Sequence, residues 1–415
     1  MALVRAFRGL RPHPEFAAKV AAPPYDVINT EEARQLAEGN VYSFLHVTKP
    51  EIDLSPDINV YDQKVYKQGA DNLKRFIDDH ILFQDDKPSF YLYQQTMGGH
   101  KQIGLVACAS TEEYRENKIK KHELTRVDKE EDRLKHILQL KAQTGPVFLT
   151  YRARKSIDSL IGKIVKQKPV YDFKTDDHIQ HTFWVVSDNG SINDLTKEFA
   201  QVDLLYVADG HHRSAAATRA AEELKNRNPD ASGDKEYNFF LSVLFPDNQM
   251  KIMGYNRVVK DLYGLSNPEF LDALRLKFLV REFARSEGYT PRVIHDFGMY
   301  LNGMWYRLSA IPGTWDESHP TGRLDVSILY ENILKPILGI NDPRTDKRID
   351  FVGGIRGIEG LEARVDSGEM TVAFSLFPVI IDDLLATADA GETMPPKSTW
   401  FEPKLRSGLI THILD

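Results

Sequence analysis

Cysteine is almost missing from these 415 residues: Cys108 stands alone. A single thiol excludes an intrachain disulfide and any cysteine-built zinc or iron–sulfur site. It lies in the apolar run Ile103-Gly104-Leu105-Val106-Ala107-Cys108-Ala109, which marks it as a small core residue. No run approaches the ~20 apolar residues that span a bilayer. The first residues carry Arg5 and Arg8 but no apolar stretch of a secretory leader. The expectation is a cytoplasmic protein with no membrane partner. Positive charge is not in excess either, because 53 Lys and Arg face 60 Asp and Glu for a formal net charge of −7. A broad basic surface for duplex nucleic acid is therefore not expected. The familiar nucleotide fingerprints are absent as well. There is no G-x-x-x-x-G-K-[ST], and Gly353, Gly354, Gly357 and Gly360 do not fit G-x-G-x-x-G. A nucleotide site here is neither a P-loop nor a Rossmann turn.

What is present is an ordinary globular composition, 42% hydrophobic and 27% charged, in a chain long enough for two or three domains. Strand-like and helix-like patterns alternate, which predicts a mixed α/β protein. An N-terminal region, 1–95, opens with a strand over 3–10 and the turn-rich Ala22-Pro23-Pro24-Tyr25-Asp26. A helix capped by Asn29 or Thr30 follows, then one over 61–80. A middle region, 96–260, carries strands at 103–109, 147–151, 183–186, 204–207 and 239–245, with helices at 130–142, 155–168 and from 211 to about 225. The last region, 261–415, alternates strands near 305–308, 348–352 and 371–377 with helices near 326–338 and 380–390.

Chemistry concentrates at Asp209-Gly210-His211-His212-Arg213, between an apolar strand and an alanine-rich helix. Gly210 permits a tight or left-handed turn, and Asp209 is placed to cap the first free N–H groups. The remaining amides stand at the positive end of the helix dipole, which suits phosphate. Arg213 adds a bidentate fork, and His211 and His212 add donors. Adjacent histidines diverge by about 100° around a helix, so no protein motif for a metal is expected there. His178 and His181 precede a strand and read as structural. Asp132-Arg133 reads as an exposed pair on the first turn of its helix, and Glu123, beside His122, as a charged loop residue after Lys118, Lys120 and Lys121. Asp26 either fixes its Pro-Pro-Tyr-Asp turn or reaches a substrate amine or Mg²⁺. Lys397, Ser398 and Thr399 form a proline-set loop with a cation and two hydroxyls, with Lys404 close behind.

The strand–Gly–x–x–Arg–helix order of 209–213 resembles the phosphate turn of the ParB and sulfiredoxin-like fold, with Ile119-Lys120-Lys121-His122-Glu123 resembling its first loop. Nearly end to end, the chain resembles a bacterial and archaeal family, domain of unknown function 1015. The strings that carry this are Ala22-Pro23-Pro24-Tyr25-Asp26-Val27, His122-Glu123 with Thr125, Asp132-Arg133, Gly145-Pro146-Val147-Phe148, the 209–213 turn, Pro395-Pro396-Lys397-Ser398-Thr399 and Phe401-Glu402-Pro403-Lys404. Over about 100–225 the chain also resembles free serine kinases, which phosphorylate serine from ADP or ATP.

These resemblances imply a ParB/sulfiredoxin-like core flanked by N- and C-terminal α/β regions. They imply a Mg²⁺-assisted, ATP- or ADP-dependent kinase of a small hydroxylated metabolite, serine being the leading guess. Asp209, Gly210, His211, His212, Arg213, Lys397, Ser398 and Thr399 would then hold phosphates. Glu123, His122 and Asp26 would be catalytic, and Tyr25, Arg133 and Lys404 would bind substrate. The alternatives are a nucleotide-binding regulatory protein and, against the charge balance, a ParB-like DNA-binding protein or nuclease.

Overall fold

The computed structural model describes residues 2–228, 233–284 and 288–414. The protein is a mixed α/β protein that folds as two compact units. The first comprises 1–121, 125–250 and 403–415, and the second comprises 122–124 and 251–402. The sequence patterns had suggested boundaries after 95 and 260. Regions 1–95 and 96–260 share one sheet in the structure, because Val4–Arg5 and Phe90–Met97 both pair with His100–Ser110.

That sheet of the first unit runs, from one edge, Ile119–Lys120, Leu205–Asp209, Val147–Tyr151, Phe239–Pro246, His100–Ser110, Phe90–Met97, Gln180–Val186 and Tyr171–Lys174. Pairing is mixed: Leu205–Asp209 is parallel to Ile119–Lys120 and antiparallel to Val147–Tyr151. Val147–Tyr151 in turn is parallel to Phe239–Pro246. Helices Val127–Leu140 and His211–Arg227 pack on each other, and their apolar sides join the sheet in one core with Leu105, Leu149, Val207, Ala217 and Phe240. Cys108 is buried in that sheet, as its apolar surroundings required.

Local chemistry accounts for the element ends. Helix Thr30–Ala37 starts at a capping box, with the Asn29 side chain accepting from Glu32 N–H and the Glu32 carboxylate accepting from Asn29 N–H. Helix Val127–Leu140 starts earlier than expected and stops before 142, because Lys141 turns left-handed at φ 50°. Ala142–Gln143 then leaves as a short strand against His412–Ile413. The single strand expected over 3–10 is broken into Val4–Arg5 and Leu10–Pro12. Gly9 marks the crossing, where a Cβ would lie 2.2 Å from Ile410 Cδ1 and 2.6 Å from the Tyr91 hydroxyl.

In the second unit an antiparallel sheet has the order Phe278–Phe283, Met304–Ala310, Asp296–Leu301, Val372–Leu376, Tyr255–Val259, Ile349–Gly353. Trp305, Tyr300, Val258 and Leu361 fill its core. Ser266 and Glu269 form the capping box of helix Asn267–Arg275. The helix expected over 326–338 is shorter: Asp325–Leu329 passes into a wider π turn, Tyr330–Leu334. Among the described residues no helix is long and apolar enough to cross a membrane.

Candidate functional site

Strand Leu205–Asp209 delivers the chain to Gly210, whose φ of 96° lies in the left-handed region that glycine adopts without strain. Helix His211–Arg227 starts directly after it, and its small residues Ser214, Ala216, Ala217, Ala220 and Ala221 are buried. Expected as the helix cap, Asp209 is not one, since no side chain caps this helix. Its Oδ2 accepts instead from Lys404 Nζ at 3.0 Å. Burial alone would raise the Asp209 pKa, but Lys404, then Arg213 and His211, outweigh it and hold the carboxyl far below the usual carboxylate range.

Arg213 is turned inward and only 8% exposed. Its Nη1 donates to the Pro146 carbonyl. Nη2 lies 3.6 Å from Asp26 Oδ2 and 3.8 Å from Asp209 Oδ2, beyond hydrogen-bond length. Nε is buried with no hydrogen-bond partner among the described residues. Nε and Nη2 form the side-on edge of a guanidinium, the one that grips two oxygens of a carboxylate or phosphate. In Arg213 that edge makes no hydrogen bond among the described residues. Gly210 keeps it clear, since a Cβ at 210 would stand 3.0 Å from Nε and 3.2 Å from Nη2. Burial works against the charge, yet Asp26 and Asp209 offset it and raise the pKa above the ordinary arginine value.

His211 is buried beside this turn, and His212 Nε2 accepts the Arg126 N–H at 3.0 Å. That contact fixes the His212 proton on Nδ1 when the ring is neutral. The Asp132–Arg133 pair is not the exposed pair expected. Asp132 is buried, lies 2.6 Å from Arg133 Nη2 and accepts from the Tyr66 hydroxyl at 2.9 Å. The Arg133 guanidinium lies 4.0 Å from the centre of the Tyr25 ring. Burial, then Asp26, raises the Tyr25 hydroxyl above the ordinary tyrosine value. A cavity in this unit is bordered by Tyr25, Arg133, Thr144, Gly145, Arg213 and Ser407, with Ile137, Val147 and Phe240 as apolar wall. Ser407 was missed from sequence, since nothing local distinguishes it from a tail serine.

His136 also borders the cavity and is neutral: burial, then Arg133, lowers its pKa to about 4, although its Nε2 donates to the Val47 carbonyl. Burial lowers His181 to about 3, with Nδ1 against the Tyr93 hydroxyl. The structural role expected for His181 agrees with this. Both rings charge near 6.5 once unfolded, so the unfolded chain binds more protons than the folded one below that pH. Stability should therefore fall as pH drops from about 6.5 towards 4, measured as the urea midpoint at constant slope, and His136→Gln should flatten the fall.

The remaining sequence-selected residues, His122, Glu123, Lys397, Ser398 and Thr399, belong to the second unit. There the Met394 N–H donates to the His122 carbonyl at 2.8 Å. Lys397 takes a positive φ of 58°, and the Ser398 hydroxyl donates to the Pro395 carbonyl at 2.6 Å. Unforeseen from sequence, buried Arg257 clamps this loop by donating to the carbonyls of Pro396 and Lys397 at 3.3 and 3.1 Å. Burial lowers its pKa to about 10.

A family model described as protein of unknown function (DUF1015) matches residues 4–327. The chain belongs to the DUF1015 family. Lys404 and Ser407 lie outside the matched stretch. No curated protein matches this DUF1015 chain in sequence. Among solved structures, a conserved hypothetical protein from Pyrococcus furiosus is 16% identical, covering 70% of this chain and 90% of its own, with a TM-score of 0.32. A free serine kinase in complex with AMP is 14% identical over 69% of this chain and 84% of its own, at a TM-score of 0.32. SbnI with a C-terminal truncation, from Staphylococcus aureus, is 13% identical over 72% and 82%, at 0.36.

Proposed function

We propose that this DUF1015 protein is a nucleotide-dependent phosphotransferase whose first unit binds a nucleotide phosphate at 209–213. The open Nε/Nη2 edge of buried Arg213, at the N-terminus of a 17-residue helix, carries the reading. A buried guanidinium with unused donors is costly, and two phosphate oxygens satisfy it. Asp26, Asp132 and Asp209 balance Arg133, Arg213 and Lys404, so an arriving anion competes with the two carboxylates that stand just beyond hydrogen-bond length of Nη2 rather than filling an empty cationic hole. Asp26 is the one that yields, being exposed where Asp209 is tied to Lys404. A hard, exposed carboxylate also suits magnesium carried in on the nucleotide, and Asp26 would hold it. The metal would neutralise phosphate charge as the phosphoryl group moves.

The acceptor is a small hydroxylated metabolite, free serine being the first to try. By the resemblance to free serine kinases, Glu123 would be the base. Purified protein with Mg²⁺, serine and ATP or ADP should yield phosphoserine, read by mass spectrometry. Glu123→Gln should lower turnover by about 100-fold or more while nucleotide affinity stays within about threefold. Nucleotide binding with no acceptor-dependent turnover for any hydroxylated metabolite would replace the kinase by a nucleotide-binding regulator. Absence of any binding of nucleotide or phosphate would remove the phosphate site itself.

A further inference from the structure

Lys404 reaches Asp209 from the segment 403–415, which rejoins the first unit after the chain has built the second. The segment is fixed at this lysine and directly after it. Gln95 Nε2 donates to the Lys404 carbonyl at 2.8 Å, and Ser407 and Ala22 exchange both backbone hydrogen bonds, at 2.9 and 3.0 Å. Arg406 pairs with Asp177. Gly408, at φ 90°, lies where a Cβ would stand 2.7 Å from Phe44 Cβ.

The tip of Lys404 reaches a carboxylate oxygen of Asp209. Asp209 Oδ2 is 3.0 Å from Lys404 Nζ and 3.8 Å from Arg213 Nη2. Charge-assisted hydrogen bonds settle at ~2.7–2.9 Å, so a shift of about 1 Å would move this oxygen from Lys404 onto Arg213. The same oxygen would then occupy the Nε/Nη2 edge. A carboxylate held there is a permanent intramolecular competitor for any anion, since its effective concentration far exceeds that of a free ligand.

We propose that Lys404 is a positioning residue that holds Asp209 away from Arg213 and so keeps the anion-gripping edge open. The inference rests on the phosphate site at 209–213 and gives Lys404 a role other than direct substrate contact. It acts on the affinity of the site for any anion, because what it controls is the availability of the arginine.

The test is titration calorimetry of the full-length protein with inorganic phosphate and, separately, ADP, on the wild type, Lys404→Met, Asp209→Asn and the double variant. Lys404→Met should weaken both ligands about tenfold or more, as Asp209 closes on Arg213. The double variant should recover to within about threefold of wild type, because a neutral amide no longer competes for the guanidinium. Lys404→Arg should stay near wild type, and thermal midpoints report that each protein is folded. Failure of the double variant to recover would overturn the proposal and make Lys404 a direct anion contact. Wild-type affinity in Lys404→Met would overturn it too. If wild type binds neither ligand, the phosphate site has failed first, a result separate from both.

Discussion

Arg213→Ala should abolish nucleotide binding, lowering affinity for ADP and for inorganic phosphate by about 100-fold or more. Two charge-assisted hydrogen bonds from the Nε/Nη2 edge are each worth ~1.5–3 kcal/mol, and every ~1.4 kcal/mol is tenfold. A second effect has the same sign. With the guanidinium gone, Asp26 and Asp209 remain at the site and repel the incoming anion. Arg213→Lys should recover less than about a tenth of the lost affinity, because an ammonium is a point charge without a planar edge. Calorimetry with both ligands checks this, and phosphate binding retained in Arg213→Ala would end the assignment. A lysine as good as arginine would keep the charge but remove the argument from the edge.

Asp132→Ala should cost about 3–5 kcal/mol of folding stability, the loss typical when one partner of a buried ion pair is removed. The charge left behind is that of Arg133, whose side chain is 12% exposed and packs over Tyr25. Burial already opposes that charge, and Tyr25 and Asp132 are what raise its pKa above the ordinary value. The Tyr66 hydroxyl loses its acceptor as well. Asp128→Ala is the control on the same helix, because its pair with Arg126 lies in solvent and removing it should cost less than about 1 kcal/mol. Denaturant midpoints at unchanged slope compare the two. Equal losses would mean that the Asp132–Arg133 pair is effectively solvated.

Much of the fold was legible because its signals are local. The strand Val147–Tyr151 appeared at its expected bounds, being a short apolar run closed by Gly145-Pro146 on one side. Asn29 and Ser266 start helices through capping boxes that need only four residues of context. The turn at Gly210 was legible for the same reason, since a strand, a glycine and a helix are consecutive there. What sequence could not give was direction. Periodicity puts Arg213 on the first turn of a helix but not whether its guanidinium faces water or Pro146. Nor could it show that Asp132-Arg133 is buried, because that depends on Tyr25 and Tyr66, far away in the chain. Asp209 was read as a cap for lack of any sign that a lysine 195 positions later would claim it. The single strand expected over 3–10 failed because two different partners, His100–Ser110 and Leu82–Gln84, divide it.

The long separation between Asp209 and Lys404 also sets an order of events during synthesis. At ~5–20 residues per second, Asp209 is made on the order of 10–40 s before Lys404. Once Phe239–Pro246 has joined the two halves of the sheet, Gly210 and Arg213 are in place, but the lysine that draws Asp209 aside is still to be made. If Lys404 holds Asp209 off Arg213 as proposed, a nascent chain would carry the anion site in its self-blocked form, and would become competent to take phosphate only when 403–415 has settled beside Ala22 and Gln95.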